Sequence, residues 1–259
     1  MGFERRWVRE GAVLAGEEHP GQQPSVILLH GWCCDRSFLA PQADHFSALG
    51  RHVIALDLRG HGQSSRGADG FGLGAIADDV AWLIDTLDLG RVMIAGHSMG
   101  GVVALEVANR RADRVERIAM FDSPVAVPEP LLPVAESLSG RLDSPQCGET
   151  IAEFVERWLL SPHTEPRLAR RAVDTMRLAP REVAVPCWES LLAYDDRSAL
   201  QACEVPVLFV AAENSLAEVD ELPRLNPRVE LARMFGVSHF HPLEAPAATN
   251  QLLERFFQH

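Results

Sequence analysis

The chain of 259 residues carries 36 acidic and 24 basic residues, for a formal net charge of −12, and 47% of it is hydrophobic. That is an ordinary globular composition, enough for one large domain or two small ones and for a full core without staples. The acidic balance and the lack of any basic stripe argue against nucleic acid and anionic membrane surfaces as partners.

The N-terminal stretch MGFERRWVRE is charged and has no apolar h-region. Arg6 stands where a myristoylation signal needs Ser or Thr. Short apolar runs then alternate with longer amphipathic ones. SVILL (25–29), HVIALD (52–57), RVMIAG (91–96) and RIAMFD (117–122) predict buried strands. Between them, Ile76, Val80, Leu83, Ile84 and Leu87 repeat at helical spacing over 73–87, and a second helix is predicted through VVALEVANR. This order predicts an α/β fold, a mostly parallel sheet with helices on both faces.

From Pro124 to Glu204 the pattern changes to Pro-punctuated, helix-like segments such as TIAEFVERWLL and PRLARRAVDTMRL. VPVLFVAA (205–212) and VELARMF (229–235) resume the strands, and TNQLLERFF closes as a helix. The expected organisation is a core of residues 1–123 and 205–259, with residues 124–204 inserted as a helical cap. No apolar run approaches membrane-spanning length.

All 24 basic residues are arginine. Without lysine there is no Schiff-base chemistry, no Walker-type phosphate lysine and no Ser–Lys pair. The five cysteines, Cys33, Cys34, Cys147, Cys187 and Cys203, show neither a CxxC pair nor metal-ligand spacing. Their odd number points to a reducing, cytoplasmic setting, and the adjacent Cys33 and Cys34 are expected to be buried, inert thiols. No metal and no organic cofactor are expected.

Gly96-His97-Ser98-Met99-Gly100 is a G-x-S-x-G motif between a predicted strand and a predicted helix. So sharp a turn forces Ser98 into strained backbone geometry and leaves its hydroxyl at a helix start, where backbone N–H groups favour developing negative charge. With LLHGWC (28–33), LDLRGHGQSS (56–65) and GVSHFHPLEAP (236–246) in the same order, the chain resembles the α/β-hydrolase family over nearly its whole length. The resemblance implies an eight-stranded sheet with Ser98 as nucleophile and His239 as base. It also implies an oxyanion hole from the N–H groups of Met99 and Trp32. His241 is the rival base, expected as a partly exposed loop residue. His30 and His61 are expected to hold turns, and His97 to face the pocket wall.

The acid departs from the family pattern. After the strand at 205–212, Asn214 and Ser215 stand where an aspartate is expected; Glu213 is early, and Glu218 and Asp220 are late. Some members place the acid one strand earlier, where this chain has Asp122, which also keeps the order Ser, Asp, His. Asp122 is the preferred acid, with Glu218 or Asp220 as alternatives.

Phe154, Trp158 and Trp188 are candidates for an apolar pocket wall. The first functional expectation is hydrolysis of a small ester, thioester or lactone with an apolar portion, through an acyl-enzyme on Ser98. The second is a cofactor-independent dioxygenase or a lyase using the His239–Asp122 pair. The third is a non-catalytic binding protein derived from a hydrolase. Oligomeric state stays open.

Overall fold

The computed structural model describes residues 2–67 and 70–258. Its strands are β1 (Phe3–Arg9), β2 (Ala12–His19), β3 (Gln22–Leu29), β4 (Arg51–Leu56), β5 (Val92–His97), β6 (Val115–Phe121), β7 (Val207–Ala211) and β8 (Val229–Arg233). They form one sheet in the order β1-β2-β4-β3-β5-β6-β7-β8. β2 runs antiparallel to β1 and β4, and every other pairing is parallel. The mostly parallel, eight-stranded expectation holds.

Two strands were not foreseen in the sequence. β1 and β2 form a hairpin whose turn residues, Glu10 and Gly11, both have positive φ (44° and 84°), as the tight hairpin turn requires. β1 is the sheet edge, and its exposed arginines and glutamate guard the unpaired backbone.

The helices are α1 (Ala40–Ala48), α2 (Leu73–Thr86), α3 (Met99–Arg110), α4 (Leu132–Leu142), α5 (Cys147–Phe154), α6 (Pro166–Met176), α7 (Arg181–Leu192), α8 (Asp196–Ala202), α9 (Leu222–Leu225), α10 (His241–Glu244) and α11 (Pro246–Gln258). Strand side chains alternate between faces, and the two cores divide accordingly. Val26, Leu28, Met93, Ala95, Leu208 and Val210 pack on one face with Phe46 of α1 and Leu253 and Phe256 of α11. Ile27, Leu29, Ile94, Ile118, Val207 and Phe209 pack on the other with Ile76, Val80 and Leu83 of α2 and Val102 and Leu105 of α3. Both faces are covered, which is why the central strands read as continuous apolar runs.

Residues 124–204 contain α4–α8 and no strand. Their apolar side chains, including Leu142, Ile151, Val155 and Cys187, join the core on the α2–α3 side. No helix among the described residues is long and apolar enough to cross a membrane.

Candidate active site

β5 ends at His97 and α3 begins at Met99, so Ser98 alone makes the turn. Its backbone sits at φ 52°, ψ −121°, a region that costs a non-glycine residue about 1–3 kcal/mol. Glycine makes this turn possible. A Cβ on Gly96 would lie 2.1 Å from the Gly100 carbonyl oxygen, and one on Gly100 would lie 2.2 Å from that of Leu29. The Ser98 N–H is held by the Phe121 carbonyl at 2.8 Å. Ser98 is partly accessible within an otherwise buried run.

The turn that follows β3 lies against this elbow. A Cβ on Gly31 would come within 3.2 Å of the Ser98 Cβ. The Cys34 N–H closes the turn on the Gly31 carbonyl at 3.1 Å, with Cys33 at φ 57°. His30 fixes the strand end: its Nδ1–H donates to the Gly31 carbonyl at 2.8 Å, and its Nε2 accepts the Leu58 N–H at 3.0 Å. His61 likewise bonds the Arg59 carbonyl at 2.9 Å. Burial lowers the pKa values of these two rings to about 4 and about 3, so both are neutral turn-holders, as expected. The neighbouring LDLRGHG segment is also a scaffold. Asp57 accepts the Arg36 and Gln63 N–H groups, and Arg59 forms a buried two-pronged pair with Asp79 at 2.6 and 2.7 Å.

His239 Nδ1 lies 2.7 Å from Asp122 Oδ2, both buried. Burial pushes the Asp122 carboxyl upward, but the hydrogen bond and charge of His239, with help from the Ser215 hydroxyl, outweigh it and hold the group below its ordinary value. An ionised carboxylate only accepts, so the nitrogen facing Asp122, Nδ1, carries a proton, and the neutral tautomer compatible with this bond has its lone pair on Nε2. Asp122 is itself fixed: its N–H donates to the Val210 carbonyl at 2.8 Å, and its Oδ1 accepts the Ala212 N–H at 3.2 Å. The rival acids are elsewhere. Glu213, Glu218 and Asp220 are exposed; Glu213 bonds the Gly236 N–H, and Asp220 pairs with Arg233 at 2.5 Å.

The His239 backbone is clamped from three directions. Its N–H donates to the Leu159 carbonyl at 3.2 Å. Leu159 ends a single π turn, Val155–Leu159, whose i→i+5 bond runs from Leu160 to Val155. The His239 carbonyl accepts the Nε2–H of His97 at 2.9 Å, with the two imidazole rings 4.5 Å apart. Glu244 completes the clamp by accepting from the Ser238 N–H and hydroxyl and from Thr164 of the helical segment. Apart from His97, none of these partners was singled out from the sequence. Glu244 did lie inside the GVSHFHPLEAP motif, whereas a backbone acceptor such as Leu159 leaves no sequence signal.

His241 departs from expectation. It is fully buried, its Nδ1 3.2 Å from Thr249 Oγ1 and its ring 5.7 Å from that of Phe121. It opens α10 and is covered by α11, rather than lying in an open loop. Burial lowers its pKa to about 4, so it is a neutral packing residue.

Ser98, His97, His239 and Trp32 line one cavity of about 510 Å³, a size suited to a small molecule. Phe154, Trp158 and Trp188 also line it. Trp32 and Trp188 stand 5.0 Å apart, and Phe154 packs edge-on to Trp188 at 5.4 Å. Both indole N–H groups are spent, Trp32 on the Ala184 carbonyl at 2.9 Å and Trp188 on that of Ala135 at 3.2 Å. Cys33 and Cys34 are buried free thiols whose pKa values burial pushes well up, which leaves them inert.

A sequence profile described as alpha/beta hydrolase fold matches residues 24–245. The chain belongs to that family. It is 26% identical to the AB hydrolase superfamily protein YisY of Bacillus subtilis, over 95% of this chain and 98% of that one. It is 24% identical to the 2-(acetamidomethylene)succinate hydrolase of Mesorhizobium japonicum, over 98% and 95% respectively. Among solved structures, a thermophilic esterase from Thermogutta terrifontis superposes with a TM-score of 0.84 at 23% identity, covering 100% of this chain and 98% of that one.

Proposed function

We propose that this α/β-fold hydrolase cleaves a small carboxylic ester, thioester or lactone through an acyl-enzyme on Ser98. The observation that carries the reading is the strained, accessible Ser98 sharing a cavity with a His239 whose Nδ1–H is tied to Asp122. In the first half-reaction the Ser98 hydroxyl oxygen attacks the substrate carbonyl carbon while His239 Nε2 takes its proton. The negative oxygen is received by two N–H groups, those of Met99 and Trp32. Met99 is the first residue of α3, so its N–H has no intrahelical acceptor. The C–O bond to the alcohol then breaks, and His239 returns the proton to the leaving oxygen. A water repeats the steps on the acyl-enzyme, releasing the acid and restoring Ser98. Asp122 holds the imidazole tautomer and stabilises the imidazolium without taking the proton.

Residues 124–204 act in this reading as the cap, with Phe154, Trp158 and Trp188 as its apolar wall. The relatives differ by name in substrate, a succinate derivative for one and an ester for another, so the choice among substrates rests on the cavity.

A fluorophosphonate probe tests the nucleophile directly. We expect a single covalent adduct by intact mass, mapped to the Ser98 peptide and absent from Ser98→Ala. An unlabelled but folded wild type that is also silent on p-nitrophenyl esters would overturn the reading. Oxygen uptake on heteroaromatic substrates would then distinguish a dioxygenase from a binding protein.

A further inference from the structure

The cavity around Ser98 has unbalanced charge. Glu129 and Asp196 both line it. Arg197 is the arginine that lines it among the described residues, and its guanidinium is already engaged by Glu221. Asp196 is half-buried, its Oδ2 accepting the Ala126 N–H at 3.1 Å, so this carboxylate is fixed on the loop that begins at Asp122.

Several of the donors that could receive a substrate anion are spent. Tyr194 lines the cavity, but its hydroxyl donates to Glu106 at 2.6 Å. The indole N–H groups of Trp32 and Trp188 serve the Ala184 and Ala135 carbonyls. His97 donates its Nε2–H to the His239 carbonyl. At the start of α4, the N–H groups of Leu131 and Leu132 bond the Pro128 and Glu129 carbonyls, and Pro133 has none. A carboxylate brought here would recover little of its lost hydration and would face two carboxylates, those of Glu129 and Asp196.

We propose that the site selects uncharged substrates and rejects those with a carboxylate at the remote end of the acyl chain. This deepens the serine-hydrolase reading and rests on it. The residues responsible are Glu129 and Asp196, together with Glu221, which neutralises Arg197. Selection here works by repulsion and failed desolvation as much as by apolar fit.

Three esters of equal acyl length test it: p-nitrophenyl hexanoate, mono-p-nitrophenyl adipate, and the same adipate with its free carboxyl capped as a methyl ester. We expect kcat/KM for the hexanoate and the capped adipate to exceed that of the free adipate by about 100-fold or more at low ionic strength. The Glu221→Gln variant, which releases Arg197, is expected to raise the free-to-capped ratio about tenfold while leaving the hexanoate rate within threefold. Equal kcat/KM for free and capped adipates in the wild type would overturn the proposal. Should no ester turn over, the acyl-enzyme reading is what fails. Calorimetric binding of the capped and free adipates to Ser98→Ala then decides the selection separately. Tighter binding of the capped form by tenfold or more supports it, and indistinguishable binding, or none of either, overturns it.

Discussion

The two sides of the cavity are built to different tolerances. On the sheet side, Cys33, Ser98 and Asp122 all adopt positive φ, and Gly96 and Gly100 sit where a single carbon would collide with backbone. On the helical side, α4–α8 are helical apart from the π turn at Val155–Leu159 and the interior Pro186 of α7, and they present aromatic rings and half-buried aliphatic residues. Strain is concentrated where a group must be aimed, and plain packing suffices where a volume must be enclosed. In the proposed function, the sheet side sets the reaction and the helical side sets what can reach it.

The largest way to test that division is to remove an aimed group. Ser98→Ala is expected to lower kcat/KM on a p-nitrophenyl ester by about 10⁴-fold or more, and Asp122→Asn by about 10³- to 10⁴-fold. Circular dichroism should show both variants folded. An Asp122→Asn enzyme with near wild-type activity would move the acid elsewhere.

Glycines sharpen the contrast without touching chemistry. Gly100→Ala should cost more than about 4 kcal/mol in urea unfolding, because its Cβ would lie 2.2 Å from the Leu29 carbonyl oxygen. Gly140→Ala, within α4 and with open space around it, should instead stabilise by about 0.5–1 kcal/mol. Comparable losses at both positions would erase the distinction.

Acid titration reads the same side in a third way. His30 and His241 have native pKa values lowered to about 4, and His61 to about 3, by burial. A lowered native pKa means that only the unfolded chain takes up these protons between about pH 6.5 and 4. Their contribution to stability is therefore complete above about pH 6.5 and is lost as pH falls through that window. At pH 5 each such histidine removes about 2 kcal/mol. Denaturation midpoints at pH 7.5 and 5 should show the drop, and His241→Gln should shrink it. A flat profile would mean these rings protonate in place.

The smallest effect lies at the seam. Glu244→Gln weakens the tie between Thr164 and Ser238 and is expected to lower kcat about tenfold with KM little changed. Loss confined to KM would place Glu244 in binding rather than in positioning His239.

What the sequence revealed follows the same line. The elbow, the histidine loop and the central strands were legible because neighbouring residues determine them: alternating apolar faces, and glycines where no side chain fits. Asp122 could be preferred over Glu218 and Asp220 as the candidate acid because Asn214 and Ser215 occupy the usual place, and in the structure the Ser215 hydroxyl helps hold the Asp122 carboxyl below its ordinary value. The β1–β2 hairpin was missed because an edge strand such as FERRWVR carries charges that hide its alternation. His241 was misjudged because burial by α11 is a tertiary fact. The pairing of Arg197 with Glu221 and the bond to the Leu159 carbonyl join residues 24 or more positions apart, and no local pattern announces them.

The bond from His239 N–H to the Leu159 carbonyl has a mechanical consequence. Raising residues 155–164 to admit a bulky molecule would remove that acceptor, and displacing Thr164 would release Glu244 in the same movement. On the hydrolase reading proposed above, His239 would then be unlatched whenever these residues rose, and admission and proton transfer would be interlocked.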